Sequence, residues 1–538
     1  MPRPFAAPVV IRRSPAASPL ARRASDAFGR RRFAVLSALG ARVLINAVNR
    51  RPPKPFRRRE RNRALRLVLA CAAACAAAPS HAALPGDLAR AFREAHIPSS
   101  AVAVFVQQVG EKQPVLAHQA AKPMNPASTM KLVTTFAALE LLGADYRWKT
   151  EAYADGPVVD GALDGNLVLK GYGDPKITIE QFQSLVAALR GTGLATIRGD
   201  LVLDRSYFAP PVRRPGAFDA EPLKPYNVAP DALLLNFNSV RFVFAPDVAL
   251  GAVAMRAEPP LANVVFSDAL QLVPGECGDW RAGLKASIAS RVDRAQARFS
   301  GRYPAACGER DWYFALLDHR HYAQAMFAHY WKEAGGSFAG GLRDGRAPAG
   351  ATPLATLEST PLYDAIRDIN KLSNNVMAQQ LFLTLATSAY PPPATAPRAR
   401  AAVRRWLAGR GLRFPELVLE NGSGLSRRER ISAKSMGALL LAADASAVRA
   451  DYESSLAVAA TDGTMRKRFL DDDVADRALL KTGTLEGVRA LAGYVLGHGG
   501  RRYVVVCFVN HPNAAHAQRA LDLLVEDVYA GNFDARAR

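Results

Sequence analysis

At 538 residues the chain is too long for one hydrophobic core, so two or more domains are expected. Apolar residues make up 49% and charged residues 22%, the proportions of an ordinary soluble globular protein. The net charge of +22 would suggest a nucleic-acid partner, but residues 1–82 hold 18 Lys/Arg against 2 acids and the remainder 52 against 46. No basic stripe interleaved with aromatics follows, so nucleic acid is excluded as a partner.

In chain order, Met1–Phe56 is rich in Pro and Arg and fits no signal architecture. It reads as a basic extension, either disordered or the product of a start codon assigned too early. Arg57–Ala82 has the layout of a secretory signal. Arg57, Arg58, Arg59, Arg61, Arg63 and Arg66 form a basic n-region, and Leu67–Ala78 is an apolar run too short to span a bilayer. Ser80-His81-Ala82 offers small residues where a signal peptidase reads. Cleavage near Ala82 predicts export to the periplasm with no stable membrane anchor left behind.

Leu84–Ile97 carries apolar residues at helical spacing, and Ser100–Gln107 alternates like a strand. Asn125–Gly143 predicts a helix with Pro126 in its first turn, a stripe of Leu132, Phe136, Leu139 and Leu142, and Gly143 as its stop. From about Tyr153 to Gly350 the texture changes to short β-like runs, among them Asn166–Lys170, Thr196–Asp204, Leu233–Phe244 and Gly251–Met255. Residues 153–347 therefore predict an insertion of one or two small, mostly β domains, interrupting a domain made of 83–152 and 348–538. Within the insertion, Cys277 and Cys307 fit a disulfide closing a loop of about 30 residues, worth roughly 3 kcal/mol. His319, His321 and His329 lie among Trp312, Tyr313, Tyr322 and Tyr330 and read as packed side chains rather than metal ligands. Helical periodicity returns at Leu362–Ala386, and Pro391–Pro393 marks an exposed loop. Ser435–Ala445 and His516–Tyr529 read as helices, Ala490–Leu496 and Tyr503–Val509 as strands. Cys507, in the last strand, reads as a buried free thiol.

Three short motifs carry chemistry. In Ser128-Thr129-Met130-Lys131 the hydroxyl and the ammonium are three apart, on one face of a helix. A serine hydroxyl needs an adjacent base, and a lysine serves only if burial or a second cation lowers its pKa. Lys481 could be that cation. Taken alone, the serine is equally a helix cap. Ser373-Asn374-Asn375 interrupts a helical region, so a hydroxyl and a carboxamide two apart can point into one cleft; a polar turn is the plainer reading. Lys481-Thr482-Gly483-Thr484 follows Ala478-Leu479-Leu480 on a predicted strand, where a glycine often marks close approach of another backbone. Such an edge can pair with an extended peptide, or simply be an exposed edge guarded by a lysine.

As an ordered set, the three motifs resemble the serine penicillin-recognising enzymes, whose signature is Ser-x-x-Lys, Ser-Asp-Asn and Lys-Thr-Gly. The Asn374 departure weakens the match to class A β-lactamases more than to the superfamily. The long gap from Ser128 to Ser373 is similar to the class C low-molecular-mass penicillin-binding proteins of the penicillin-binding protein 4 type. Further matching stretches are Gly171-Tyr172-Gly173-Asp174-Pro175, Gly199–Asp204, Asn421-Gly422-Ser423-Gly424-Leu425-Ser426 and Asp462-Gly463-Thr464. Position 421, often Asp in that family, is Asn421 here.

The resemblance implies an α/β (α+β) penicillin-binding, serine β-lactamase-like transpeptidase fold, with an antiparallel sheet flanked by helices. It implies a D-alanyl-D-alanine carboxypeptidase and endopeptidase acting on peptidoglycan peptides without a metal or cofactor, and acylated by β-lactam antibiotics; a serine β-lactamase or esterase is the alternative. Ser128 would be the nucleophile, Lys131 its base, and Ser373 a proton relay beside Lys481. Asn375, Lys481, Thr482, Gly483 and Thr484 would hold substrate, with the N–H groups of Ser128 and Thr484 facing the oxyanion. Asp174 would line the cleft or merely close a turn. A homodimer is compatible with all of this.

Overall fold

The computed structural model describes residues 83–210 and 215–533. The predicted extension 1–56 and signal 57–82 lie outside the described residues. Among the described residues no helix is long and apolar enough to cross a membrane.

A six-stranded antiparallel sheet organises the chain's two ends. Its order is Leu116–His118, Val102–Gln108, Arg502–Asn510, Val488–Leu496, Ala478–Leu485 and Ala457–Val458. Side chains alternate between faces with a period of two, so one strand feeds two cores. Val504, Val506 and Phe508 join Phe136, Met436 and Leu439 on one side. Val505, Cys507 and Val509 join Leu88, Phe92, Leu521 and Leu524 on the other. With both faces covered, the strand reads as a continuous apolar run, and Cys507 is a buried free thiol. Helix Lys131–Leu142 is buried from Lys131 to Leu139, as expected of a helix apolar nearly all round. It ends at Gly143, whose φ of +84° suits a residue without a Cβ.

Between these ends lies a second core. A five-stranded sheet runs Leu342–Asp344, Leu201–Asp204, Asn166–Gly171, Lys149–Asp155 and Ala355–Glu358. Two three-stranded sheets follow, Ala252–Glu258 with Val240–Asp247 and Arg310–Phe314, then Val264–Val273 with Ala295–Pro304 and Leu284–Ser290. Phe242, Phe244, Phe299, Tyr303 and Phe314 pack ring to ring between them. Cys277 and Cys307 form a disulfide.

The β-like texture of this region concealed two helices, Ile179–Gly191 and His319–Glu333. The first has a capping box between Thr178 and Gln181, a sequence signal that the short β-like runs around it masked. Two expected strands are interrupted. Thr196–Asp204 is two strands, Thr196–Ile197 and Leu201–Asp204, and within Leu233–Phe244 the strand itself begins only at Val240. Asn236, Phe237 and Asn238 have φ values of +43°, +54° and +51°, which no strand accommodates.

Candidate active site

The predicted helix from Asn125 begins instead as a tight turn. Ala127–Met130 is a 3-10 segment, and the α-helix starts at Lys131. Ser128 therefore sits on the turn feeding the helix, not in its first α turn. Asn125 shapes that turn: its Oδ1 accepts from the Ala127 N–H at 2.9 Å, and its Nδ2 donates to the Ser426 carbonyl at 2.8 Å. Asn510, at the end of the long strand, brackets Asn125 with bonds of 2.8 and 3.0 Å. Ala127 is held at φ +45°, a conformation that costs a non-glycine residue roughly 1–3 kcal/mol and recurs at functional sites.

Lys131 points back along the helix face toward Ser128. Its Nζ lies 3.0 Å from Ser128 Oγ, 2.6 Å from Asn375 Oδ1 and 2.6 Å from the Ser423 carbonyl. Ser373 occupies the break between helices Leu362–Lys371 and Asn375–Thr387, at φ +59°. Asn374 caps the second helix by accepting from the Met377 N–H at 3.1 Å, which leaves Asn375 free to turn its carboxamide to Lys131. Lys481 Nζ donates to Ser373 Oγ at 2.9 Å and to the Thr482 carbonyl at 3.0 Å.

Strand Ala478–Leu485 lies against the Ser128 turn, and Gly483 makes this possible. A Cβ there would stand 2.7 Å from the Pro126 carbonyl and 3.1 Å from Ala127 Cβ. Thr482 Oγ1 donates to Thr464 Oγ1 at 2.9 Å, and Thr484 is exposed. The neighbouring strand Ala457–Val458 pairs only with Leu480 and Leu479. Among the described residues no strand pairs with 481–485 on that side.

Both lysines are fully buried. Burial first, and the adjacent Lys481 second, hold Lys131 well below the usual lysine range, while Glu429 pulls the other way. Burial lowers Lys481 to about 7. Burial disfavours the charged form of both lysines, and a charge on Lys481 further disfavours one on Lys131.

The structure adds residues that single motifs did not reveal. The loop Asn421–Ser426, noted in the sequence only as a matching stretch, forms one wall of the cleft. Ser423 supplies a carbonyl to Lys131, and Thr134 Oγ1 fixes the loop by donating to the Gly422 carbonyl at 2.6 Å. Gly424 has φ +83°, and a Cβ on it would meet the Ala127 carbonyl at 1.9 Å. Asn421, without a role in the sequence, accepts from the Ser423 N–H and Oγ and donates to the Leu425 carbonyl. Its glycine spacing was the available signal; the carbonyl's target was not legible.

Asp174 is not among the groups gathered here. It is 2% exposed, its Oδ1 accepts from the Lys176 N–H at 2.9 Å to close a turn, and burial raises it to about 6. It makes no hydrogen bond to Ser128, Lys131, Ser373 or Lys481. His321 pairs with Asp318 at 2.7 Å and His329 stacks edge-on against Tyr330.

The chain as a whole is similar to known proteins. The chain is 27% identical over 414 residues to D-alanyl-D-alanine carboxypeptidase DacB of Haemophilus influenzae, covering 76% of this chain and 85% of that one. It is also 27% identical over 446 residues to a D-alanyl-D-alanine carboxypeptidase of Actinomadura sp., covering 78% and 79%. The crystal structure of penicillin binding protein 4 from Haemophilus influenzae superposes with a TM-score of 0.69 at 26% identity, spanning 82% of this chain and 98% of that one. The fold is accordingly the penicillin-binding, β-lactamase-like one that the sequence resemblance implied. The D-Ala-D-Ala carboxypeptidase 3 (S13) model matches residues 84–528, and the chain belongs to that family of serine peptidases.

Proposed function

We propose that this serine D-Ala-D-Ala carboxypeptidase works through an acyl-enzyme on Ser128, that it also cleaves peptidoglycan cross-links, and that β-lactams acylate the same oxygen. One observation carries the mechanism: Lys131 Nζ has two carbonyl-type acceptors, Asn375 Oδ1 and Ser423 O, and one hydroxyl, Ser128 Oγ. A neutral amine has two hydrogens and one lone pair. The hydrogens go to the two carbonyl oxygens, and the lone pair is left facing the serine hydroxyl, ready to take its proton.

Ser128 Oγ then attacks the carbonyl between two D-alanines, and its proton passes to Lys131. The backbone N–H groups of Ser128 and Thr484 receive the oxyanion. Ser373, bonded to Lys481, relays the proton taken up by Lys131 to the amine of the departing D-alanine as the C–N bond breaks, which leaves Lys131 a free amine again. Lys481, still an ammonium, and Thr482 hold the terminal carboxylate of the substrate. Asn375 binds the peptide amide, and the unpaired edge at 481–485 receives the extended stem peptide by strand addition. Water completes hydrolysis of the ester.

The cross-link-cleaving activity draws support from a groove of about 530 Å³ lined by Ser373, Asn374, Asn375, Phe237, Arg241 and Tyr313. It gives a substrate longer than a terminal dipeptide somewhere to run. Residues 83–152 and 348–538 are assigned to the catalytic domain and 153–347 to the insert, whose five-stranded sheet also takes in the flanking strands Lys149–Asp155 and Ala355–Glu358, with export to the periplasm by the leader at 57–82. Incubation with purified muropeptide monomers and cross-linked dimers, followed by mass spectrometry, tests the reading. D-alanine release together with dimer loss is expected; release without dimer loss removes the endopeptidase activity, and neither removes the whole reading.

A further inference from the structure

Behind the cleft wall stands a buried acid that the mechanism above does not use. Glu429 is 0% exposed. Its Oε1 accepts from three successive backbone N–H groups, those of Glu420, Asn421 and Gly422, each at 2.9 Å. Its Oε2 is buried without any hydrogen-bond partner. Three convergent N–H groups on one oxygen make an anion cradle, the backbone arrangement that favours negative charge. The next residue after that cradle is Ser423, whose carbonyl lies 2.6 Å from Lys131 Nζ.

We propose that Glu429 is a positioning residue of the active site: as a buried carboxylate it fixes the 420–423 backbone that presents the Ser423 carbonyl to Lys131, and it supplies the negative charge that balances the two buried lysines. The inference rests on Lys131 acting as the base toward Ser128. With Glu429 an anion, a site holding one ammonium and one free amine between Lys481 and Lys131 is electrically neutral. That is the charge state the mechanism starts from. Without Glu429 even a single ammonium would be buried with no carboxylate to balance it.

The charged groups around it are few. Lys131, on the helix, feels Glu429 through space as an attraction and Lys481, on the strand, as a repulsion. Glu420, on the same loop, opposes the charge of Glu429 but is itself engaged by Ser426 and by Arg428 at 3.6 Å. Burial, the larger influence, raises Glu429 above the usual carboxylate range; the three N–H groups pull it back toward ionisation.

The sign of the effect follows. Glu429 stabilises the Lys131 ammonium, so removing its charge makes Lys131 a free amine at lower pH. Acylation of Ser128 requires that free amine and falls on the acid side as Lys131 becomes protonated. The experiment is the pH profile of acylation by a fluorescent penicillin, with Ser128→Ala run alongside and thermal melting as the check on folding. Glu429→Gln keeps an acceptor for the N–H cradle and removes the charge; its acid limb is expected to move to lower pH by about one unit. An unmoved limb in folded Glu429→Gln overturns the proposal, while labelling of Ser128→Ala would instead overturn the assignment of the nucleophile. Should Glu429→Gln fail to fold, Asn421→Asp adds a carboxylate to the same loop. Its limb must then move to higher pH, by about one unit, and an unmoved limb overturns the proposal equally. The double variant Asn421→Asp/Glu429→Gln, with one carboxylate restored, is expected to return the limb to its wild-type place.

Discussion

The cleft around Ser128 and the aromatic body of the insert are both dry, and they are dry for opposite reasons. Around Ser128 the interior holds Lys131, Lys481, Glu429 and Ser423, all at 0% exposure. In the insert the interior between residues 240 and 314 is made of rings, stapled by Cys277–Cys307. Burying a ring stabilises the fold outright, by roughly 1.5–3 kcal/mol for a large side chain. Burying a lysine costs free energy and changes its basicity. One region uses its interior to persist and the other to react, so substitutions in the two should separate stability from activity.

The sharpest way to break this contrast is Lys131→Met. The base is lost, so penicillin acylation and D-alanine release should fall roughly 10²–10⁴-fold, while the melting temperature stays within about 2 °C or rises because a buried amine has gone. A large drop in melting temperature with modest loss of rate would show that Lys131 is there for the fold. Next in size is Gly424→Ala, which joins the two properties. Its Cβ would collide with the Ala127 carbonyl at a φ of +83°, so stability should drop by roughly 2–4 kcal/mol, and acylation should slow because the Ser128 turn is displaced. Near wild-type acylation in folded Gly424→Ala would mean that the loop does not set the turn. The smallest effect on chemistry is expected from Cys277→Ser/Cys307→Ser. Chemical denaturation should report a loss of about 3 kcal/mol with the acylation rate unchanged; a slowed rate would tie the body to the cleft.

What the sequence disclosed about the site was what is local. Ser128 and Lys131 are three apart, but they meet through a 3-10 turn, in which i and i+3 also align, rather than on the expected α-helix. Ser373 sits in a helix break that the polar triplet announced, and Asn375 opens the next helix. Lys481 and Gly483 follow from strand alternation and from the need for a bare backbone. The Ser423 carbonyl and Glu429 were not legible, because a carbonyl has no residue type and the acid acts through backbone it does not adjoin. The same limit holds for the fold. The apolar helices and valine-rich strands of the flanking domain could be placed within a few residues. In the insert, the helix Ile179–Gly191 was hidden among short β-like runs, and the break at Asn236–Asn238 depends on positive φ angles that composition does not reveal.

The strand carrying Lys481 has its open side for only five residues, 481 to 485, before it turns. At about 3.3 Å per residue that is a berth of roughly 16 Å. Such a length admits one short peptide but offers a second copy of the sheet too few bonds to zip onto. If a stem peptide docks here as proposed, the same brevity that sizes it leaves a neighbouring molecule too short an edge to pair with.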